Sequence, residues 1–276
     1  MVHRRELMKL AALTIAGCIQ RSGVDVMYAA SLQREMEEMI IPVFQNKTGI
    51  PVNAEAKGSV AIVNLVKDGY RRPDVVISAD SDLLKGLKPE FIGRYAVFAS
   101  NSIVIAHRGV DLSGNSWIDA ILSERYRFGI SDPLSDPLGY RSLIVIRLAE
   151  MYYGRKIYEK AVNNLLIFGL ETDLAANIRA GTVDGGFLYR NMALAHKLEF
   201  IQLPEEIDLG SPEHEEFYRK AVVEVDGKVY RGKAILYGIA ETRWSTKYGR
   251  EFVDFVLSDG LELLEKFGLK ATVRWM

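Results

Sequence analysis

The chain has 276 residues, 49% of them hydrophobic and 26% charged, and a formal net charge of −1. It is long enough to bury one or two cores, and it has no basic excess of the kind that binds nucleic acid. A single cysteine excludes any intrachain disulfide, so stability must come from packing. Neither a low-complexity tract nor a solenoid-like repeat interrupts it.

The first segment is basic, with His3, Arg4, Arg5 and Lys9, and an apolar run from Leu10 to Ala16 follows. Ile15-Ala16-Gly17-Cys18 then brings small residues up to the cysteine. This is the pattern of a lipoprotein signal peptide, residues 1–18, cut before Cys18, which is then lipidated. The apolar run is far short of the roughly 20 residues a membrane-spanning helix needs. The Arg4-Arg5 pair also resembles a twin-arginine signal, so export by the Sec or the twin-arginine route is expected. Cleavage removes three cations and one anion, which takes the mature chain from −1 to −3. Two acyl chains suffice for stable anchoring, so the membrane is met through lipid only.

Strand-like and helix-like segments then alternate. Val24 to Tyr28 reads as a strand, and Leu32, Met36, Met39 or Ile40, and Val43 or Phe44 recur at helical spacing up to Gly49. Residues 50–54 form a second predicted strand, 60–67 a helix, and 74–78 a third strand, the pattern of parallel βαβ units. Another buried-type strand spans 102–106, after which the alternation restarts near His107. Helices are predicted over 117–125, 140–153 and 174–180, with strands at 128–130 and 186–189. Asp226-Gly227-Lys228 sits between two short β-like runs and signals a hairpin. A strand at 233–240 and helices at 244–257 and 259–267 complete the chain.

Two strand-to-helix junctions share one design. Ala29-Ala30-Ser31-Leu32 and Lys57-Gly58-Ser59-Val60 each put a small residue and then a serine at a helix start. Open N–H groups and the positive end of the helix dipole suit an anion there, and each serine adds a donor. Simple N-capping by Ser31 and Ser59 is the competing reading. A third helix start, Asp136-Pro137, reads as an N-cap followed by proline at the first helical position. If it faces an anion, the Asp136 carboxylate must ligate the central atom, accept a proton or turn away.

Enzyme chemistry finds little support. Gly227 to Ala234 nearly spells a phosphate-binding loop, but Ala234 replaces the magnesium-binding hydroxyl and the segment is flanked by β-like residues. His3, His107, His196 and His214 lack metal-ligand spacing. There is no Gly-x-Ser-x-Gly elbow, and no nucleophile with a base can be defended.

Tyr28-Ala29-Ala30-Ser31-Leu32, Ala56-Lys57-Gly58-Ser59-Val60, Asp74-Val75-Val76-Ile77-Ser78, Asp136-Pro137-Leu138-Gly139-Tyr140-Arg141, Gly181-Thr182-Val183-Asp184 and Lys233-Ala234-Ile235-Leu236-Tyr237-Gly238 occur in this order. In these pieces the chain resembles the archaeal-type molybdate/tungstate-binding proteins of ABC transporters, within the type II periplasmic substrate-binding proteins. The resemblance implies an α/β fold of two lobes, residues 24–106 with 232–276 as lobe I and 107–231 as lobe II. Crossover strands near 104–108 and 222–236 would join them, and one tetrahedral oxyanion would lie in the cleft.

The resemblance further implies that Ala30, Ser31, Gly58 and Ser59 bind the oxyanion from lobe I, and Asp136, Pro137, Leu138, Gly139 and Tyr189 from lobe II. Asp136 would be a direct metal ligand in such a site, and Leu188 stands where the family is expected to carry a second ligating glutamate. Without that glutamate, tetrahedral binding is favoured and sulfate is less firmly excluded. The expected protein is a monomeric receptor, not an enzyme. It needs no cofactor and is held at the outer face of the cytoplasmic membrane, where it delivers molybdate or tungstate to a permease and its ATPase. A receptor for another oxyanion, or a tethered sensor or scaffold, is the alternative.

Overall fold

Buried strands account for most of the core. In the computed structural model, which describes residues 23–112 and 116–276, β1 (Val24–Ala29), β3 (Val75–Ser78), β4 (Ala96–Asn101) and β5 (Ile103–His107) are nearly continuous apolar runs. Such runs require a sheet covered on both faces. The signal peptide and Cys18 lie outside the described residues.

The first sheet has six strands in the order β13, β4, β12, β3, β1, β2, where β2 is Val52–Lys57, β12 is Ile235–Glu241 and β13 is Lys270–Trp275. The β2, β1 and β3 strands are parallel, while β12, β4 and β13 add antiparallel partners. The second sheet runs β7 (Leu166–Phe168), β6 (Phe128–Ser131), β8 (Gly185–Tyr189), β5 and β9 (Glu199–Gln202). Here too three parallel strands, β7, β6 and β8, are followed by antiparallel ones. Both sheets therefore bring the carboxyl ends of three parallel strands to one edge, the place where α/β folds bind ligands.

The chain changes sheets at Ser102, between β4 and β5. This moves the first crossing ahead of the expected 104–108, because β5 bonds along its length to β8 and β9 and so belongs wholly to the second sheet. The second expected crossing also differs. Residues 222–231 form a separate hairpin, β10 (Val222–Val225) and β11 (Lys228–Arg231), and the chain re-enters the first sheet only after it, at the start of β12, where Ile235 N donates to the Leu209 carbonyl at 2.9 Å. Asp226 and Gly227 make the hairpin turn with φ of 50° and 73°, which matches the twist of the flanking strands. Tyr230 of the hairpin stacks on Tyr140 with ring centroids 4.2 Å apart.

Helix boundaries follow local chemistry. The run 30–48 starts as a tight turn at Ala30–Leu32, widens at Met36–Ile40 and continues as Ile41–Thr48, with Leu32, Met36, Ile40 and Phe44 buried. Gly49, at φ 70°, ends it in the left-handed conformation glycine adopts without strain. Strands β4, β7, β9 and β13 have no counterpart among the predicted elements.

Candidate functional site

The helices that follow β1 and β2 begin side by side, since Ala29 and Lys57 are register partners in the parallel pair. The N-cap positions are Ala29 and Gly58, and neither start has a side-chain cap. Ser31 and Ser59 are therefore not capping residues. The buried Ser31 Oγ meets no hydrogen-bond partner among the described residues. Ser59 Oγ accepts from Ala79 N at 2.9 Å, which leaves its own O–H to donate. Ala30 and Gly58 are exposed, so backbone there is open to a ligand.

The second sheet presents a different set of groups. Asp136 caps the helix Pro137–Tyr153, accepting from Leu138 N at 2.9 Å through Oδ1 and from Glu171 N at 2.7 Å through Oδ2. Both carboxylate oxygens thus hold backbone, each through one of its two lone pairs. Gly139 N donates to the Asp136 carbonyl at 3.0 Å, Pro137 has no N–H, and Leu138 is fully buried. The N–H groups of Leu138 and Gly139 are accordingly committed to Asp136 at the helix start. Gly139 is required for packing, because a Cβ would come within 2.3 Å of the Ser131 carbonyl oxygen.

One turn into this helix, Arg141 supplies what the loop does not. Its guanidinium is buried, donates to Tyr189 Oη, and has no carboxylate at ion-pair distance among the described residues. Burial pushes the Tyr189 phenol well above its ordinary range, so it stays a neutral hydroxyl. Glu171, at the start of the helix Glu171–Ala180, accepts from Tyr189 N at 2.9 Å. Burial, with Asp136 and Glu35 adding negative charge nearby, pushes the Glu171 carboxyl up to about 8 against the pull of the Tyr189 N–H and Arg141.

Leu188 does not reach this cluster. It is fully buried in the hydrophobic core, and its strand neighbour Tyr189 points to the opposite face. The carboxylate beside the tyrosine is Glu171, eighteen residues earlier in the chain and brought in by the helix after β7. Glu171 and Arg141 were missed by sequence reasoning. The Asp136-Pro137 cap did place a helix start at this edge, from which Arg141 follows one turn later.

The two edges meet. Asn191, just beyond Tyr189, donates to the Ser31 carbonyl at 3.4 Å, Glu35 helps to raise the Glu171 carboxyl, and Glu171 in turn helps to raise the Tyr237 phenol. Uncapped helix starts and a hydroxyl without a partner among the described residues thus lie at the first sheet's edge, and a buried guanidinium and a carboxyl raised to about 8 at the second sheet's edge, with Asn191 joining the two. Together they can bind an oxyanion, and they include no nucleophile paired with a base.

A family model described as bacterial extracellular solute-binding protein matches residues 24–270. The molybdate/tungstate-binding protein WtpA of Thermococcus kodakarensis is 30% identical over 91% of this chain and 85% of its own. The protein of the same name from Pyrococcus abyssi is 30% identical over 91% and 89%. Among solved structures, the periplasmic molybdate-binding protein of Azotobacter vinelandii superposes with a TM-score of 0.59 at 16% identity, covering 89% of this chain and 98% of that one. A substrate-binding domain assigned to a molybdenum ABC transporter of Clostridium difficile reaches 0.69 at 17%, covering 91% and 99%. The chain belongs to the bacterial extracellular solute-binding protein family, whose members bind solutes rather than transform them, and it has the two-lobed type II periplasmic-binding-protein fold.

Proposed function

We propose that this protein is the extracytoplasmic receptor of an ABC importer, that it closes around one tetrahedral oxyanion, molybdate or tungstate, and that it delivers this cargo to the permease. The observation that carries the proposal is Arg141, a buried guanidinium bonded to a phenol and with no carboxylate at ion-pair distance among the described residues. Burying a cation is costly unless an anion completes it, and a dianion in the cleft would do so. Ser31 Oγ, Ser59 Oγ and the two uncapped helix starts add donors from the first lobe, each helix end contributing about 0.3–1 kcal/mol and more where water is excluded.

The names of the relatives support molybdate or tungstate over sulfate, and so does Glu171. While protonated it offers an O–H to an oxo group. Once ionised it is a hard oxygen ligand that a tungsten or molybdenum centre can add to its coordination shell and a sulfur centre cannot. Lobe II binding is thereby assigned to Arg141, Tyr189 and Glu171, with Asp136 holding the Glu171 backbone in place. Lipidation at Cys18 would keep the receptor beside its permease at high effective concentration.

Calorimetric titration of the mature protein with tungstate, molybdate, sulfate and phosphate tests the reading. The expected result is one site that takes tungstate and molybdate more tightly than sulfate. Silence with all four anions would leave the sensor or scaffold alternative standing.

A further inference from the structure

A second buried polar network crosses from one lobe to the other beside the anion site. Asn191 lies in the first turn of the helix Arg190–Ala195, directly after β8. Its Nδ2 donates to Glu35 Oε1 at 2.8 Å and to the Ser31 carbonyl at 3.4 Å, both on the first helical run. Its Oδ1 accepts from Asn101 Nδ2 at 2.8 Å, at the end of β4 where the chain leaves the first sheet, and the same Nδ2 also reaches Tyr237 Oη at 3.2 Å. Asn191, the most exposed of these four side chains, is only 6% accessible.

The chemistry of the position selects a carboxamide. The Ser31 carbonyl can only accept and the Glu35 carboxyl is placed as an acceptor, while the Asn101 amide donates. Asparagine offers a donor on one side and an acceptor on the other. If the lobes part, Glu35 and Asn101 lose these bonds, and each must find water or stay unpaired. Ser31 links this bridge to the proposed anion site, with its carbonyl accepting from Asn191 and its buried hydroxyl without a partner among the described residues.

We propose that Asn191 is the closure latch, a positioning residue that holds lobe II against the first turn of the anion-facing helix and against the strand end at the hinge. An anion that orders the helix start at Ser31 also orders the carbonyl that Asn191 grips, so occupancy and closure reinforce each other. The kinetic consequence rests on the receptor reading above, whereas the bridging geometry does not.

The test uses the mature protein, with tungstate release followed by stopped-flow fluorescence and compactness by small-angle X-ray scattering. Asn191→Asp keeps the size but sets a second acceptor against Glu35, and Glu35→Gln in that background supplies the missing donor. The expected result is release about tenfold faster in Asn191→Asp, a larger radius of gyration without anion, and recovery of most of both changes in the double variant. Asn191→Ala, which adds no like charge, should move both readouts the same way and decides the matter if Asn191→Asp does not fold. Wild-type release and radius in these variants, or a double variant no better than the single one, would overturn the latch while leaving tungstate binding intact. If the unmodified protein binds no oxyanion, the receptor reading fails separately. The latch is then judged by scattering alone, and equal radii refute it.

Discussion

Glu171→Gln tests the electrostatics of the site without altering its shape. In the folded protein burial raises the Glu171 carboxyl from 4.5 to about 8, with the Asp136 and Glu35 charges adding to the effect and the Tyr189 N–H and Arg141 opposing it. Below 4.5 both folded and unfolded chains hold the proton, and the group's contribution is fully present. Between 4.5 and about 8 only the folded state keeps it, so stability falls by about 1.4 kcal/mol per pH unit, about 5 kcal/mol in all. Glutamine has no proton to lose. Urea unfolding of both proteins in oxyanion-free buffer should therefore show the variant gaining on the parent by about 4 kcal/mol from about pH 5 to about pH 8. Parallel stability curves over that range would show that Glu171 titrates as an exposed carboxylate and does not occupy a dry site. The same variant can donate to an oxo group but cannot join a metal centre, so its preference for tungstate over sulfate should shrink while sulfate binding persists.

The serines should separate from each other. Ser31 Oγ has no partner to lose among the described residues, so Ser31→Ala should leave stability within about 0.5 kcal/mol of the parent while anion affinity falls by about 1–3 kcal/mol. Ser59→Ala also strands Ala79 N and should lower both melting temperature and affinity; full affinity in both variants would remove the pair from the site. Asp136→Ala takes away the cap on Leu138 and the partner of Glu171 N, so its main effect should be a loss of about 1–2 kcal/mol in urea unfolding. A complete loss of binding with stability intact would instead make Asp136 a ligand. Leu188→Glu should destabilise the fold by several kcal/mol, because it puts a carboxyl into the core. A folded variant with greater tungstate preference would return position 188 to the site.

The parallel units were legible because their signals are local. Apolar runs bounded by glycine, the helical spacing from Leu32 to Phe44, and Asp226-Gly227 each specify an element within a dozen residues. The strands without a forecast lack such signals. Lys270–Trp275 alternates little and lies at a sheet edge with most of its side chains exposed, and Leu166–Phe168 is three residues long. Both are strands because a neighbour supplies hydrogen bonds, and pairing partners far away in the chain leave no periodicity. The crossing at Ser102 was obscure for the same reason: β4 and β5 follow each other with one residue between them, and only the partners chosen on either side divide them between two sheets.

The first half of the site was legible in the same local way, as a small residue and a serine where a strand turns into a helix. The second half was not, because its chemistry is assembled across 48 residues of chain, from Arg141 through Glu171 to Tyr189. The resemblance pointed to position 188 for the second carboxylate, next to Tyr189 in the chain, but in a β-strand closeness in sequence is not closeness in space. Neighbours in a strand face opposite sides, so a residue adjacent to Tyr189 in the chain points into the core, whereas Glu171 on the preceding helix lies against its backbone. The buried guanidinium follows a similar logic. Arg141 is one turn past a proline-started helix, where the chain has just come off the carboxyl end of β6, so a long cationic side chain there must either reach solvent or line the cleft. It is buried with no carboxylate at ion-pair distance among the described residues, and in the proposed receptor the anion is what completes it.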